Sequence, residues 1–310
     1  MEQILNEQPT LFAPVFPEQT TKALLPKKIF VPKAPPIKCQ GIKTKLVPFI
    51  AQSIQWEGKG RWLEPFLGSG TVLFNLKPER ALVSDTNVHI ICFYQSIQTG
   101  NITSEKVREF LAQEGQLLRK RGEDHYYYVR DRFNTEGDSL DFLFLSRSCF
   151  NGVMRFNKKG QFNVPFCRKP ERFRAALITK IVNQVSWVAE VIKNREWTFE
   201  VLNWRDALTR AGREDFIYAD PPYSGRHNDY YNQWDDKDAR ELLDNLSTHS
   251  ARFALSTWKE NRYRSNALFS YLPKELSVKS NKHFYHVGSS EKYRNEMEEA
   301  LILSPSSRAV

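Results

Sequence analysis

Asp220-Pro221-Pro222-Tyr223 sets a carboxylate and an aromatic ring on either side of two prolines. It follows Asp215-Phe216-Ile217-Tyr218-Ala219, a short apolar run of the kind that forms a buried strand. Proline offers no amide hydrogen and fixes its own φ, and it drives the residue before it toward extended backbone. The strand therefore stops with an acid and a ring at its carboxyl end, the edge at which open α/β sheets bind ligands. Such a pair suits attack by an exocyclic amine. The amine of adenine is a poor nucleophile because its lone pair is delocalised into the ring. A carboxylate and a neighbouring backbone carbonyl can each accept one of its hydrogens, which draws the nitrogen toward tetrahedral geometry. An aromatic face holds a base by stacking, about 1–3 kcal/mol per base. Alone, the tetrad is also consistent with a tight turn carrying a solvated Asp.

The elements that must position these groups lie upstream. Arg61-Trp62-Leu63-Glu64-Pro65-Phe66-Leu67-Gly68-Ser69-Gly70-Thr71 reads as an apolar strand, a Gly-x-Gly turn and the start of a helix through Val72, Leu73 and Leu76. The glycines let backbone approach a ligand closely, although the third glycine of the dinucleotide fingerprint is missing. Ala81-Leu82-Val83-Ser84-Asp85 is a second strand ending in an acid, with Asn87 two residues on. An acid there accepts ribose hydroxyls or caps a helix. Ahead of both, Pro35 to Leu46 brings a glycine and lysines to the start of a helix through Leu46, Phe49, Ile50 and Ile54, a weak site for an anion or a ligand carboxylate. Strand, Gly-x-Gly, helix, strand and acid describe half of a nucleoside-binding fold.

The 310 residues carry a formal charge of +9, which favours a polyanionic partner. With 41% hydrophobic and 26% charged residues, the composition is that of a soluble globular protein. No run of about 18 apolar residues is evident, so no membrane span is expected. The opening residues lack the progression of a secretory leader. Cys39, Cys92, Cys149 and Cys167 are scattered without a Cys-x-x-Cys pair, so reduced thiols, a cytoplasmic location and no metal are expected. Residues 1–33, broken by Pro9, Pro14, Pro17, Pro26 and Pro32, read as a loosely structured extension, and 305–310 as a tail.

Residues 101–197 are charged and helical in pattern, with Val107, Phe110, Leu111, Leu117 and Leu118 as an apolar face; they read as an insertion or second domain. Within them, Ser146 to Lys169 mixes Arg and Lys with Phe and Asn around glycine turns, which suits either a nucleic-acid reader or a solvated loop. The α/β pattern resumes at Phe199–Asn203, with Asp206 one strand before the tetrad in the chain. Tyr230, Tyr231 and Trp234 follow the tetrad, then a helix through Ala239, Leu242, Leu243 and Leu246, and a strand at Phe253–Thr257. Leu276–Val278 and Ala300–Leu303 read as a closing hairpin, joined by a linker from Lys279 to Glu299 that carries Lys282, His283, His286, Lys292 and Arg294. His227, near the tetrad, has no visible partner and reads as incidental.

Taken in order, these segments resemble the Dam-like, or D12, class of S-adenosylmethionine-dependent DNA adenine methyltransferases over roughly residues 35–304. Glu64 to Gly70 resembles the methionine-binding motif, Asp85 the ribose acid, Asp206 the residue beside the cofactor adenine, and Asp220 to Tyr223 the catalytic motif. Phe150-Asn151-Gly152, Arg155-Phe156-Asn157 and Gly160 to Phe166 resemble the DNA-reading segment, and Ser289, Ser290 and Arg294 the late motif. The family usually opens with Lys-Trp-x-Gly-Gly-Lys; here Lys38-Cys39-Gln40-Gly41-Ile42-Lys43 stands in its place, and Arg168-Lys169 replaces a tyrosine after the reader.

The resemblance implies a Rossmann-like α/β fold. A mixed seven-stranded methyltransferase sheet (34–100 and 198–304) would carry an inserted, mainly helical DNA-recognition domain (101–197). It implies S-adenosylmethionine as cofactor, held by Lys43, Glu64, Pro65, Phe66, Gly68, Gly70, Asp85, Asp206 and Asp220. Catalysis would fall to Asp220, Pro221, Pro222 and Tyr223, with a flipped adenine as target. Double-stranded DNA would be read by Lys38, Asn151, Arg155 and Pro165, with a GATC-like site. A cognate restriction endonuclease would act separately, if one exists. Three rivals stay open: a cytosine-N4 methyltransferase, where Ser more often stands for Asp220; an enzyme acting on RNA or protein glutamine, where Asn does; and an inactive DNA-binding relative.

Overall fold

The computed structural model describes residues 25–223, 234–284 and 296–305. Alternation along the central strands explains its layers. In β1 (Trp62–Glu64), Trp62 faces one apolar core and Leu63 the other. Val83 and Leu82 divide likewise in β2 (Arg80–Asp85), as do Tyr218 and Ile217 in β4 (Phe216–Ala219). Successive strand side chains point to opposite faces, so uninterrupted apolar strands need cover on both, as parallel sheets have.

With β3 (Glu196–Val201), β5 (Arg252–Asn261), β7 (Ser277–Phe284) and β8 (Glu296–Leu303), the sheet runs β3-β2-β1-β4-β5-β8-β7. The strands from β3 to β5 are parallel; β8 lies antiparallel to both β5 and β7. This is the mixed seven-stranded sheet expected, with a short β6 (Arg264–Ser265) added against β5. The chain moves outward from β1 through β2 and β3, then returns to β4 on the other side of β1. That reversal opens a crevice at the carboxyl ends of β1 and β4, where α/β sheets bind ligands.

The closing hairpin is longer than its apolar residues suggest. β7 continues to Phe284 and β8 begins at Glu296, so Glu299 stands within a strand rather than a linker. β7 is a mostly exposed edge strand, rich in polar and basic residues, which hides its periodicity.

Helices α4 (Ser104–Arg121), α5 (Glu123–Glu136), α6 (Ser139–Ser148) and α7 (Ala175–Lys193) enter between α3 (Val88–Gln98) and β3. Thr103 and Asp138 start α4 and α6 by accepting backbone N–H bonds. These helices share one continuous apolar core with a face of the sheet: Leu111, Tyr126 and Val185 belong to the same cluster as Trp62 and Val83. β3 begins at Glu196, ahead of the boundary expected at 198. By length and composition alone, α7 is apolar enough to cross a membrane. Its Ile178, Ile181, Val182, Val185, Val188, Val191 and Ile192 are instead buried in the protein core, where α7 packs on α3 and α4.

Candidate functional site

Asp220 follows β4 at the reversal point, and the prolines end the strand there. The buried ammonium of Lys43 lies 3.1 Å from Asp220 Oδ1 and donates to Tyr223 Oη at 2.9 Å. Tyr223 in turn donates to the carboxylate of Glu299 on β8. Ser256 on β5 lies close enough to the Asp220 carboxylate to lower its pKa. Burial raises the Asp220 pKa, which Lys43 pulls back and Glu299 pushes further up. Glu64, at the end of β1, is buried, and the Trp62 indole donates to its Oε2 at 2.9 Å. Burial pushes Glu64 up to about 8, opposed by the Trp62 bond and assisted by Asp220.

The glycine turn sits beside them. Gly68 and Gly70 hold φ of 50° and 69°, a left-handed backbone that only glycine adopts freely. A Cβ at Gly68 would meet nothing within 4 Å, so this turn faces open space. At Gly70 it would lie 2.5 Å from the Phe74 ring. Gly70→Ala therefore combines backbone strain with overpacking and is expected to cost about 2 kcal/mol or more. A urea denaturation series checks this, and an unchanged midpoint refutes it. Asp85 ties the turn to β2, its Oδ2 accepting from Gly68 N and its Oδ1 from Asn87 N. The helix cap is Asn87, which accepts from His89 N, and Asp85 keeps lone pairs for a further hydroxyl donor.

Pro65 is buried behind the turn, and Phe66 meets Trp234 edge-on at 5.5 Å. Asp206 is exposed in the first turn of α8 (Trp204–Thr209) and hydrogen-bonds to Asn203. It follows β3, which is adjacent to β4 in the chain but separated from it in the sheet by β2 and β1.

A second surface gathers the expected reader. Lys38 packs so close to Gly152 that a Cβ there would lie 2.7 Å from Lys38 Cδ. Burial, with Arg147 and Arg172 nearby, lowers the Lys38 pKa to about 8. Asn151 is exposed in a left-handed turn, and Pro165, also exposed, accepts from Phe150 N. Arg155 is held by Asn163 through Nε at 2.9 Å. Next to these lies a polar cavity of about 350 Å³ lined by residues that include Arg130, Asn134, Asn157, Gln161 and Asn163. The Arg130 guanidinium rests 4.4 Å from the Tyr127 ring.

The family model of the D12 class N6 adenine-specific DNA methyltransferases matches residues 40–287, taking in the glycine turn, the insertion and the tetrad. The chain belongs to this family. It is 32% identical to a DNA adenine methylase of Serratia marcescens, over 52% of this chain and 57% of that one. Identity to the type II methyltransferase M.MjaIII of Methanocaldococcus jannaschii is 30%, over 61% of this chain and 68% of that one. Modification methylase StsI of Streptococcus sanguinis is 28% identical over 78% of this chain and 38% of its own length. The chain spans little more than half the length of the DNA adenine methylases it matches. A solved rRNA methyltransferase of Streptomyces viridochromogenes overlays at TM-score 0.32 and 11% identity, covering 79% of this chain and 76% of that one; the fold rests on the strand order instead.

The crevice has groups that fit a nucleoside cofactor. Gly68 faces open space, Asp85 keeps accepting capacity, and the buried Ser84 Oγ, Thr44 Oγ1 and Tyr218 Oη make no hydrogen bond among the described residues. Two neighbours of the tetrad escape sequence reasoning. Ser256 sits in an apolar strand and Glu299 in a polar run, and only the sheet order brings them to Asp220 and Tyr223. Of the other residues singled out in the sequence, His227, Tyr230, Tyr231, His286, Ser289, Ser290, Lys292 and Arg294 lie outside the described residues.

Proposed function

We propose that the protein transfers a methyl group from S-adenosylmethionine to the N6 amine of adenine in double-stranded DNA. The observation that carries this reading is the buried Asp220–Lys43–Tyr223 cluster at the point where the sheet order reverses, beside the glycine turn. When bound, the cofactor supplies an electrophilic methyl group on a sulfonium sulfur. Lys43, Pro65, Phe66, Gly68, Gly70, Asp85, Asp206 and Asp220 would hold it, with Glu64 behind the turn. Asp220 and the Pro221 carbonyl accept the two amine hydrogens, and Tyr223 stacks on the base. Asp220, its basicity raised by burial, is a competent acceptor for the proton released as N6 gains its methyl. Catalysis is chiefly positioning.

Residues 101–197 serve in this reading as the DNA-recognition unit, and 34–100 with 198–304 as the catalytic unit. Lys38, Asn151, Arg155 and Pro165 face the bases. The reading puts the enzyme in the cytoplasm with the chromosome, acting alone or as the modification partner of a separate restriction endonuclease.

The test uses purified protein, S-adenosylmethionine labelled in its methyl group and unmethylated genomic DNA, digested to nucleosides. Label in N6-methyldeoxyadenosine is the expected result. Label in methyldeoxycytidine overturns the choice of base. Bound cofactor with no label in DNA overturns the substrate.

A further inference from the structure

We propose that Glu299 is a positioning residue of this site: by accepting the Tyr223 hydroxyl proton it holds the ring against which the target base stacks. The proposal rests on the functional reading above for the base, and on geometry alone for the contact.

Lysine only donates hydrogen bonds. Lys43 donates to the phenolic oxygen, so the one hydroxyl hydrogen of Tyr223 is directed at Glu299. Glu299 is 2% exposed in β8, between Trp258 on β5 and Asn281 on β7. A carboxylate in such a strand is costly unless paired. Alternation along β8 gives the reason for its place. Met297 and Glu299 share a face, and Met297 packs with Trp258 against the Tyr223 ring. Glu298 takes the other face, bonded to Lys259 and Ser280. One face of β8 is thus a socket with an apolar wall for the ring and a carboxylate for its hydroxyl. Pro221 and Pro222 fix backbone φ before Tyr223 but leave its side-chain torsions free, so this socket orients the ring together with Lys43, whose ammonium donates to the hydroxyl and lies 4.4 Å from the ring centroid.

The experiment uses the full chain and five variants, one of them a double substitution. Glu299→Leu is expected to lower kcat about 10- to 100-fold, the scale of a small misplacement, with KM for the cofactor within about threefold. Glu299→Ala replaces it should the leucine variant not fold. Glu299→Gln keeps an acceptor oxygen and restores most of the rate. It also removes a charge that raises the Asp220 pKa, so the acid limb of kcat moves to lower pH. In a Tyr223→Phe background, Glu299→Leu adds no further loss; independent, multiplying losses overturn the proposal. A fluorine spectrum of 3-fluorotyrosine-labelled protein tests the contact without activity. The Tyr223 signal, identified by its loss in Tyr223→Phe, is expected to move in Glu299→Leu, and an unmoved signal overturns the proposal. A moved signal in a protein that labels no adenine supports the contact and overturns the functional reading instead.

Discussion

Asp220→Ala is expected to reduce methyl transfer by about 10³-fold or more while cofactor binding survives. The variant loses the carboxylate that ends β4, whereas the glycine turn and Asp85 are untouched. Lys43 is left buried with Tyr223 as its hydrogen-bond partner. Breaking a buried pair is costly, but Asp220 is 18% exposed, so a loss of about 1–3 kcal/mol of stability is expected rather than unfolding. Single-turnover transfer, a cofactor titration and a thermal melt separate these effects. Transfer at the wild-type rate would remove Asp220 from the chemistry. The pH profile of the wild type carries the same information. Asp220 must be ionised to accept a hydrogen, and its folded pKa is raised. The rate therefore falls as pH drops through a midpoint above the ordinary Asp value, a limb that Asp220→Ala lacks.

Glu64→Gln is expected to stabilise the protein at neutral and alkaline pH and to leave it unchanged in acid. The ordinary Glu64 value is 4.5, and burial pushes it to about 8 in the folded chain. Below the lower value the carboxyl is protonated in both states and contributes nothing. Between the two, the unfolded chain ionises and the folded chain does not, so stability declines as pH rises. Above the upper value the deficit is constant. At about 1.4 kcal/mol per pKa unit, the wild type is handicapped by about 3 kcal/mol at pH 7. Glutamine stays neutral throughout and its amide oxygen can still accept from the Trp62 indole, so most of that deficit disappears. Denaturant curves of both proteins at about pH 4 and pH 8 check this. An equal difference at both would mean that Glu64 is ionised in the fold. An acid retained at such a cost, at the end of β1 and close enough to Asp220 to raise its own pKa, fits the stability–activity trade-off of a functional site.

Much of the site is legible in the chain because its signals are local. The prolines after Asp220 stop β4, the left-handed glycines make the turn after β1, and the apolar runs of β1, β2, β4 and β5 mark strands buried on both faces. The order of those segments carried the family and the mixed α/β sheet. Composition misled where burial depends on neighbours. The polar run before Ala300, read as linker, is half of a strand. Chain order alone does not place Asp206, since β3 precedes β4 in sequence but lies beyond β2 and β1 in the sheet. What holds the Tyr223 ring was settled by tertiary structure alone. Lys43 lies 180 residues from Tyr223 and Glu299 lies 76, and no periodicity links them. Propensity and turn chemistry act over a few residues, whereas a hydrogen-bond partner across a sheet is fixed by strand order, register and the face each side chain takes.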